Sequence, residues 1–177
     1  MDLPALYLPD AAVDAALDSE LRTLLTLCFT APHDLRFATR RYARELPAHR
    51  WLARDRGRLV GHVAMHDKEV GTPEGPRRIA GVAEVCVHPA FRGRGIARAL
   101  LASAEAGMRQ FGCPFAFLFG REAVYASSGY RAVPGAIRYR VGPEGPWKVE
   151  SMPSALVKPL GSEAWPAGEV DLRGPVF

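Results

Sequence analysis

The chain has 177 residues, 48% hydrophobic and 24% charged, which is enough apolar material for one core and too little charge for disorder. Its net charge of +4 comes mainly from arginines scattered along the whole length, without a dense basic run, a zinc-finger pattern or an RNP-like pattern, so a solvated surface is expected and nucleic acid is not. With no bilayer-length apolar run, no leader-like pattern after Met1, and Cys28, Cys86 and Cys113 lacking metal or disulfide spacing, the expectation is a cytoplasmic single domain over 1–177 with buried free thiols and no metal or membrane partner.

Leu3 to Leu8 reads as a first strand interrupted by Pro4, and Asp18-Ser19-Glu20 as the cap of a helix carrying Leu21, Leu24, Leu25, Cys28 and Phe29 on one face. A second helix is expected from Asp34 to Leu46, ending before Pro47. His49–Arg54 and Leu59–His66 form a hairpin around Asp55-Arg56-Gly57-Arg58. A loop over Gly71–Pro76 leads to a strand over Ile79–His88. Ile96, Leu100, Ala104 and Met108 repeat at helical spacing, and Gly112 stops that helix. Phe115–Phe119 reads as a fully buried strand, Glu122–Ser127 as a short helix stopped near Gly129, and Tyr130–Val141 as a further strand. Beyond a turn-rich joint at Gly142–Trp147, Ala155–Leu160 adds a last strand before a proline- and glycine-rich tail from Trp165 to Phe177. The fold class is α/β with a mixed central sheet.

The most informative run is Val85-Cys86-Val87-His88-Pro89-Ala90-Phe91-Arg92-Gly93-Arg94-Gly95-Ile96-Ala97. An apolar strand stops at a proline, a basic glycine-rich turn follows, and a helix begins at once. Unpaired N–H groups and the helix dipole make such a junction a seat for phosphate or pyrophosphate, with Arg92, Arg94 and Arg98 adding charge. The P-loop lysine is missing, and Arg98 occupies the third glycine position of a dinucleotide fingerprint. Arg-x-x-Gly-x-Ala fits in full as Arg92-Gly93-Arg94-Gly95-Ile96-Ala97.

That contiguous pattern resembles the coenzyme A site of the GNAT N-acetyltransferases. The resemblance implies a GNAT-like mixed sheet with helices on both faces. Acetyl-CoA would be co-substrate, with its pyrophosphate on the backbone of Arg92, Gly93, Arg94, Gly95, Ile96 and Ala97 and its pantetheine arm paired to Val85, Cys86 and Val87. Val124-Tyr125-Ala126-Ser127-Ser128-Gly129-Tyr130 looks like the family's Leu-Tyr-x-x-x-Gly-Phe segment, which implies Tyr125 as general acid toward the thiolate. A tyrosine packed under the sheet is the bland alternative.

Glu84 is the candidate base, its direction depending on a bulge in its strand; a water chain is the other route, with His62, His66 and His88 as lesser candidates. Cys86 reads as packing, without a base to activate it, so the mechanism is direct attack of an amine on the thioester.

Shorter, discontinuous stretches resemble aminoglycoside 2′-N-acetyltransferases (Asp18-Ser19-Glu20, Tyr125-Ala126-Ser127, Trp165-x-Ala167-Gly168) and the nodulation N-acyltransferase NodA (Trp165-Pro166-x-Gly168, Pro114-Phe115-Ala116-Phe117). They tilt the acceptor toward an amino sugar or another small-molecule amine. A longer acyl donor, a coenzyme A-binding module without catalysis, and a homodimer remain open, and Trp165 and Phe177 either wall a pocket or anchor the tail.

Overall fold

The computed structural model describes residues 3–177, so the first two residues of the segment read for a leader lie outside it. The chain forms two compact units, one containing the residues up to His66 with Val82–Ala106, the other Asp67–Gly81 with Gly107–Phe177. Two long strands, β3 (Arg58–Thr72) and β4 (Gly75–Val87), run through both.

In the first unit, β1 (Ala5–Pro9) pairs antiparallel with β2 (His49–Asp55), and β2 with β3 through Trp51↔Val63. Pro4 precedes β1 rather than interrupting it. The β2–β3 turn is as expected, with Arg56 (φ 47°) and Gly57 (φ 83°) both left-handed, the backbone of a two-residue hairpin. Helix α1 (Ala15–Cys28) starts earlier than expected: the cap is Asp14, whose Oδ1 accepts from Leu17 N–H at 2.8 Å. Asp18 instead binds Arg22 and Arg41 at 2.8 and 2.9 Å. Leu21, Leu24 and Leu25 pack on Phe37, Leu52, Leu59 and Cys86.

The opposite face of this unit's strands carries helix α2 (Ile96–Gln110), which begins in this unit. A Cβ on Gly61 would stand 2.8 Å from Leu100 Cδ1 and 3.0 Å from Ile96 Cγ2, so glycine is what lets α2 approach. The helix expected over Asp34–Leu46 is absent. Pro32 starts a 3₁₀ turn (Pro32–Ala38), and irregular chain follows. Arginine side chains take some of its carbonyls: Arg36 donates to the His33 and Ala43 carbonyls, and Arg40 to Ala43.

The second unit holds β5 (Phe115–Phe119), α3 (Glu122–Tyr125), β6 (Arg131–Ala132), β7 (Ala136–Arg140), β8 (Trp147–Ser151), β9 (Ala155–Pro159) and β10 (Val170–Asp171). The strand expected over Tyr130–Val141 is broken in two, because Pro134 has no N–H to give and Gly135 turns left-handed (φ 106°). The joint at Gly142–Trp147 closes a hairpin onto β8, and the tail adds β10, neither strand being expected. The loop at Gly71–Pro76 shrinks to a turn at Pro73–Glu74.

Hydrogen-bonded order along the strands is β6-β9-β5-β4-β3-β10-β7-β8, with β2 on β3 and β1 on β2. Since β10 is parallel to β7 and antiparallel to β3, the sheet is mixed, as expected for this α/β chain.

The second core is built on Phe115, Phe117, Ile79, Ile137, Val157 and Val170. Trp165 stands edge-on to Phe115 at 5.0 Å and Phe177 reaches Phe119 at 5.2 Å, so both aromatics anchor the tail. A Cβ on Gly81 would fall 2.7 Å from the Phe177 ring.

Candidate active site

The first unit brings Glu84, Val85–Val87 and Arg92–Ala97 onto one strand–turn–helix. His88 caps the turn that ends β4, its Nδ1 accepting from Ala90 N–H at 3.2 Å, and Pro89 opens a 3₁₀ turn to Phe91. Gly93 (φ 76°) and Gly95 (φ 77°) are both left-handed, and none of the described residues lies within 4 Å of where a Cβ would project from either. Open space therefore faces the N-terminus of the 15-residue α2, whose first N–H groups have no partner within the helix. Arg92, Arg94 and Arg98 are exposed around it. Arg92 Nε donates to the Val87 carbonyl at 3.2 Å, and Arg94 lies over the Phe91 ring at 4.8 Å, so two of the three charges are held at the turn.

His88 N–H donates to the Val60 carbonyl at 2.8 Å, which fixes the alternation of the end of β4 against β3. The N–H and C=O groups of Val85 and Val87 then point away from β3 and those of Cys86 toward it. Val87's carbonyl also takes the Cys28 thiol at 3.4 Å. Cys86 is buried beside Cys28, which with burial pushes its thiol up. Cys28 is only half-buried, and its thiol is brought down to about 7 by Cys86 and, against burial, by Arg92.

Glu84 has a left-handed backbone (φ 52°), unusual for a residue with a side chain, and its carboxyl is buried. Oε1 accepts from Ala43 N–H at 2.7 Å. Among the described residues Oε2 has no hydrogen-bond partner, and it lies 3.6 Å from Arg50 Nη1. Burial pushes the carboxyl up to about 7, against the Arg50 charge and the Ala43 N–H.

Arg50, fully buried on β2, is the residue that the sequence reading missed, since its scattered arginines were expected at the surface. It donates to Asp10 Oδ1 at 2.6 Å, to His62 Nε2 at 2.8 Å and to the Arg41 carbonyl at 3.1 Å. Its only local signal is its place beside the apolar run Trp51-Leu52-Ala53; Asp10 lies 40 positions away. Burial pushes the Asp10 carboxyl up, but hydrogen bonds from Arg41 and Arg50 outweigh it and hold it below the usual carboxylate range. Burial and the Arg50 charge push His62 down to about 3, and its Nδ1–H bonds the Glu84 carbonyl at 3.0 Å. His62 is therefore a neutral strut without a free lone pair. His66 is buried 3.7 Å from Glu45, and His88 is tied to Arg58 at 2.6 Å.

A family model described as an acetyltransferase (GNAT) domain matches residues 16–133. The chain belongs to the GNAT acetyltransferase family. It is thus an acyltransferase enzyme, and the strand–turn–helix lies inside the matched region.

Among solved structures, a GNAT family N-acetyltransferase (YhbS) from Escherichia coli in complex with CoA is 21% identical with a TM-score of 0.68, over 97% of this chain and 91% of that one. A GNAT family acetyltransferase from Brucella melitensis in complex with acetyl-CoA is 18% identical at TM-score 0.62, over 96% of each chain. Eis1 from Mycobacterium abscessus is 22% identical at TM-score 0.58 over 74% of this chain, which spans 32% of that longer protein. No curated protein matches by sequence. At these identities the structures establish the shared GNAT fold.

Tyr125, the other residue on which the GNAT resemblance bears, belongs to the second unit, where it ends α3. It is half-buried, its ring 6.0 Å from that of Tyr130 and directly over Gly120, where a Cβ would meet Tyr125 Cε2 at 2.5 Å. Gly129 (φ 89°) ends the segment in the left-handed conformation that the motif's glycine requires. No group of metal-ligating side chains occurs among the described residues, and none of their helices is long and apolar enough to cross a membrane.

Proposed function

We propose that this enzyme transfers the acetyl group of acetyl-CoA to a primary amine on a small molecule, with amino sugars as the acceptor class to try first. The carrying observation is the pair of left-handed glycines, Gly93 and Gly95, with open space at the start of α2 and arginines around it. Backbone N–H groups from Arg92 to Ala97 would hold the pyrophosphate, and the outward backbone groups of Val85 and Val87 the pantetheine arm.

The thioester supplies the activated acetyl group. The amine forms a bond to the acetyl carbon as the carbon–sulfur bond breaks. Its proton passes to Glu84, whose affinity near neutrality suits a base. Because the Glu84 side chain is only 3% exposed, the proton travels through an intervening water. The GNAT-like segment Val124–Tyr130 supports Tyr125 as the acid that returns a proton to the departing thiolate.

Calorimetric titration with acetyl-CoA, NADH serving as control, tests the reading. Saturable acetyl-CoA binding that disappears in Gly95→Glu is expected, followed by turnover in an amino-sugar screen that drops about 100-fold in Tyr125→Phe with coenzyme A affinity unchanged. Equal binding by wild type and Gly95→Glu overturns the phosphate seat. Tight binding with no turnover of any amine favours a module that only senses coenzyme A.

A further inference from the structure

We infer that the outer edge of β8 joins two copies of this chain in a two-fold dimer, in an antiparallel register that sets Lys148 against the partner's Glu150. The proposal is independent of the acetyl-transfer reading. β8 ends the hydrogen-bonded order of strands, and among the described residues only β7 pairs with it. All five of its residues, Trp147 to Ser151, are exposed, including Trp147 at 43% and Val149 at 53%. Such an edge is a template for another strand.

The hairpin fixes which amides face outward. Val141 N–H donates to the Pro146 carbonyl at 2.9 Å, so odd positions of β7 bond β8. Even positions of β7 bond the other way: Arg138 C=O accepts from Leu172 and Arg140 N–H donates to Gly174. With Tyr139↔Lys148 and Ile137↔Glu150 in register, the amides of Lys148 and Glu150 serve the hairpin. Those of Trp147, Val149 and Ser151 face outward, and a second β8 must meet them with its own outward set.

With at least three residues of each strand opposite the other, that condition leaves three two-fold registers, centred on Lys148, Val149 or Glu150. The first puts lysine against lysine and the third glutamate against glutamate, both unfavourable. Centring on Val149 pairs Lys148 with the partner's Glu150 twice, puts valine on valine at the axis, and lays each Trp147 diagonally over the partner's Val149. Two contacts support those side chains: Arg138 stacks on Trp147 at 4.2 Å, and the Tyr139 hydroxyl donates to Glu150 Oε1 at 2.6 Å, leaving Oε2 for the lysine. The strand is thus self-complementary in amides, charge and apolar contact in one register only.

Sedimentation equilibrium of the full chain over a micromolar range tests this. A wild-type dimer is expected, weakened about tenfold or more in Lys148→Glu and in Glu150→Lys, where like charges face each other twice. The double reversal Lys148→Glu/Glu150→Lys recreates the opposite-charge pairs and restores dimerisation, which separates lost pairing from misfolding. A monomer at every concentration overturns the proposal, Lys148 then serving only to guard the edge. A dimer indifferent to the single reversals overturns it as well, because another surface must then hold the copies together.

Discussion

The two compact units bury different material. The first takes Asp10, Arg50, His62 and Glu84 out of water, and the second closes on Phe115, Phe117, Ile137 and Val157 with aromatics of the tail against them. Buried charge is a poor source of stability, because desolvation offsets much of the attraction, whereas buried aromatic surface stabilises directly. One arginine serving two acids and a histidine therefore makes most sense as a means of setting a proton affinity. Arg50 lies 2.6 Å from Asp10 and 3.6 Å from Glu84, so Asp10 holds the better contact, and Glu84 is the acid left near neutrality.

Removing the arginine should break the comparison most severely. Arg50→Leu strands Asp10 with Arg41 alone and leaves Glu84 uncompensated, and a loss of about 3–5 kcal/mol in denaturant unfolding is expected. Since Asp10 is held low, its share of that loss is present above about pH 4 and fades as pH falls through its folded value. A loss under 1 kcal/mol would mean that the first unit stands on its apolar contacts, as the second does.

Glu84→Gln should act on rate more than on stability, lowering turnover about 100-fold. In the wild type, activity should rise with pH to a plateau above about 7, and the substitution should remove that limb. Linkage gives a second reading. A carboxyl raised above its usual 4.5 contributes stability that is full below 4.5 and is lost as pH rises through about 7. Stability of the variant should therefore vary less across that window, and an unchanged pH–rate profile would remove Glu84 from the chemistry.

Local order was legible where one segment carries its own signal. From Ile79 to Gln110 an apolar run, a proline, two glycines and a helical stripe follow in sequence, and strand, turn and helix form there. The irregular chain after Ala38 was not legible, because its bonds come from arginine side chains and from Glu84, 41 positions away from Ala43. β10 is two residues long and β8 is wholly exposed, so neither leaves an alternation of buried and exposed positions. The direction of Glu84 hung on a single left-handed backbone, a setting that no neighbouring residue type announces.

The smallest expected effect tests the apolar side of the comparison. Phe177→Ala should cost about 2 kcal/mol, less than for a fully buried ring, because Phe177 is half-buried on Phe117 and Phe119. Gly81→Ala should also destabilise the wild type, since the new methyl would stand 2.7 Å from the ring and the tail would have to move. In the Phe177→Ala background that methyl meets no ring, so adding Gly81→Ala should cost almost nothing, and a double-mutant cycle by thermal unfolding should read a coupling of about 1 kcal/mol. Strict additivity would mean that the Phe177 ring does not rest on Gly81 in solution, leaving Trp165 on Phe115 as the aromatic that anchors the tail.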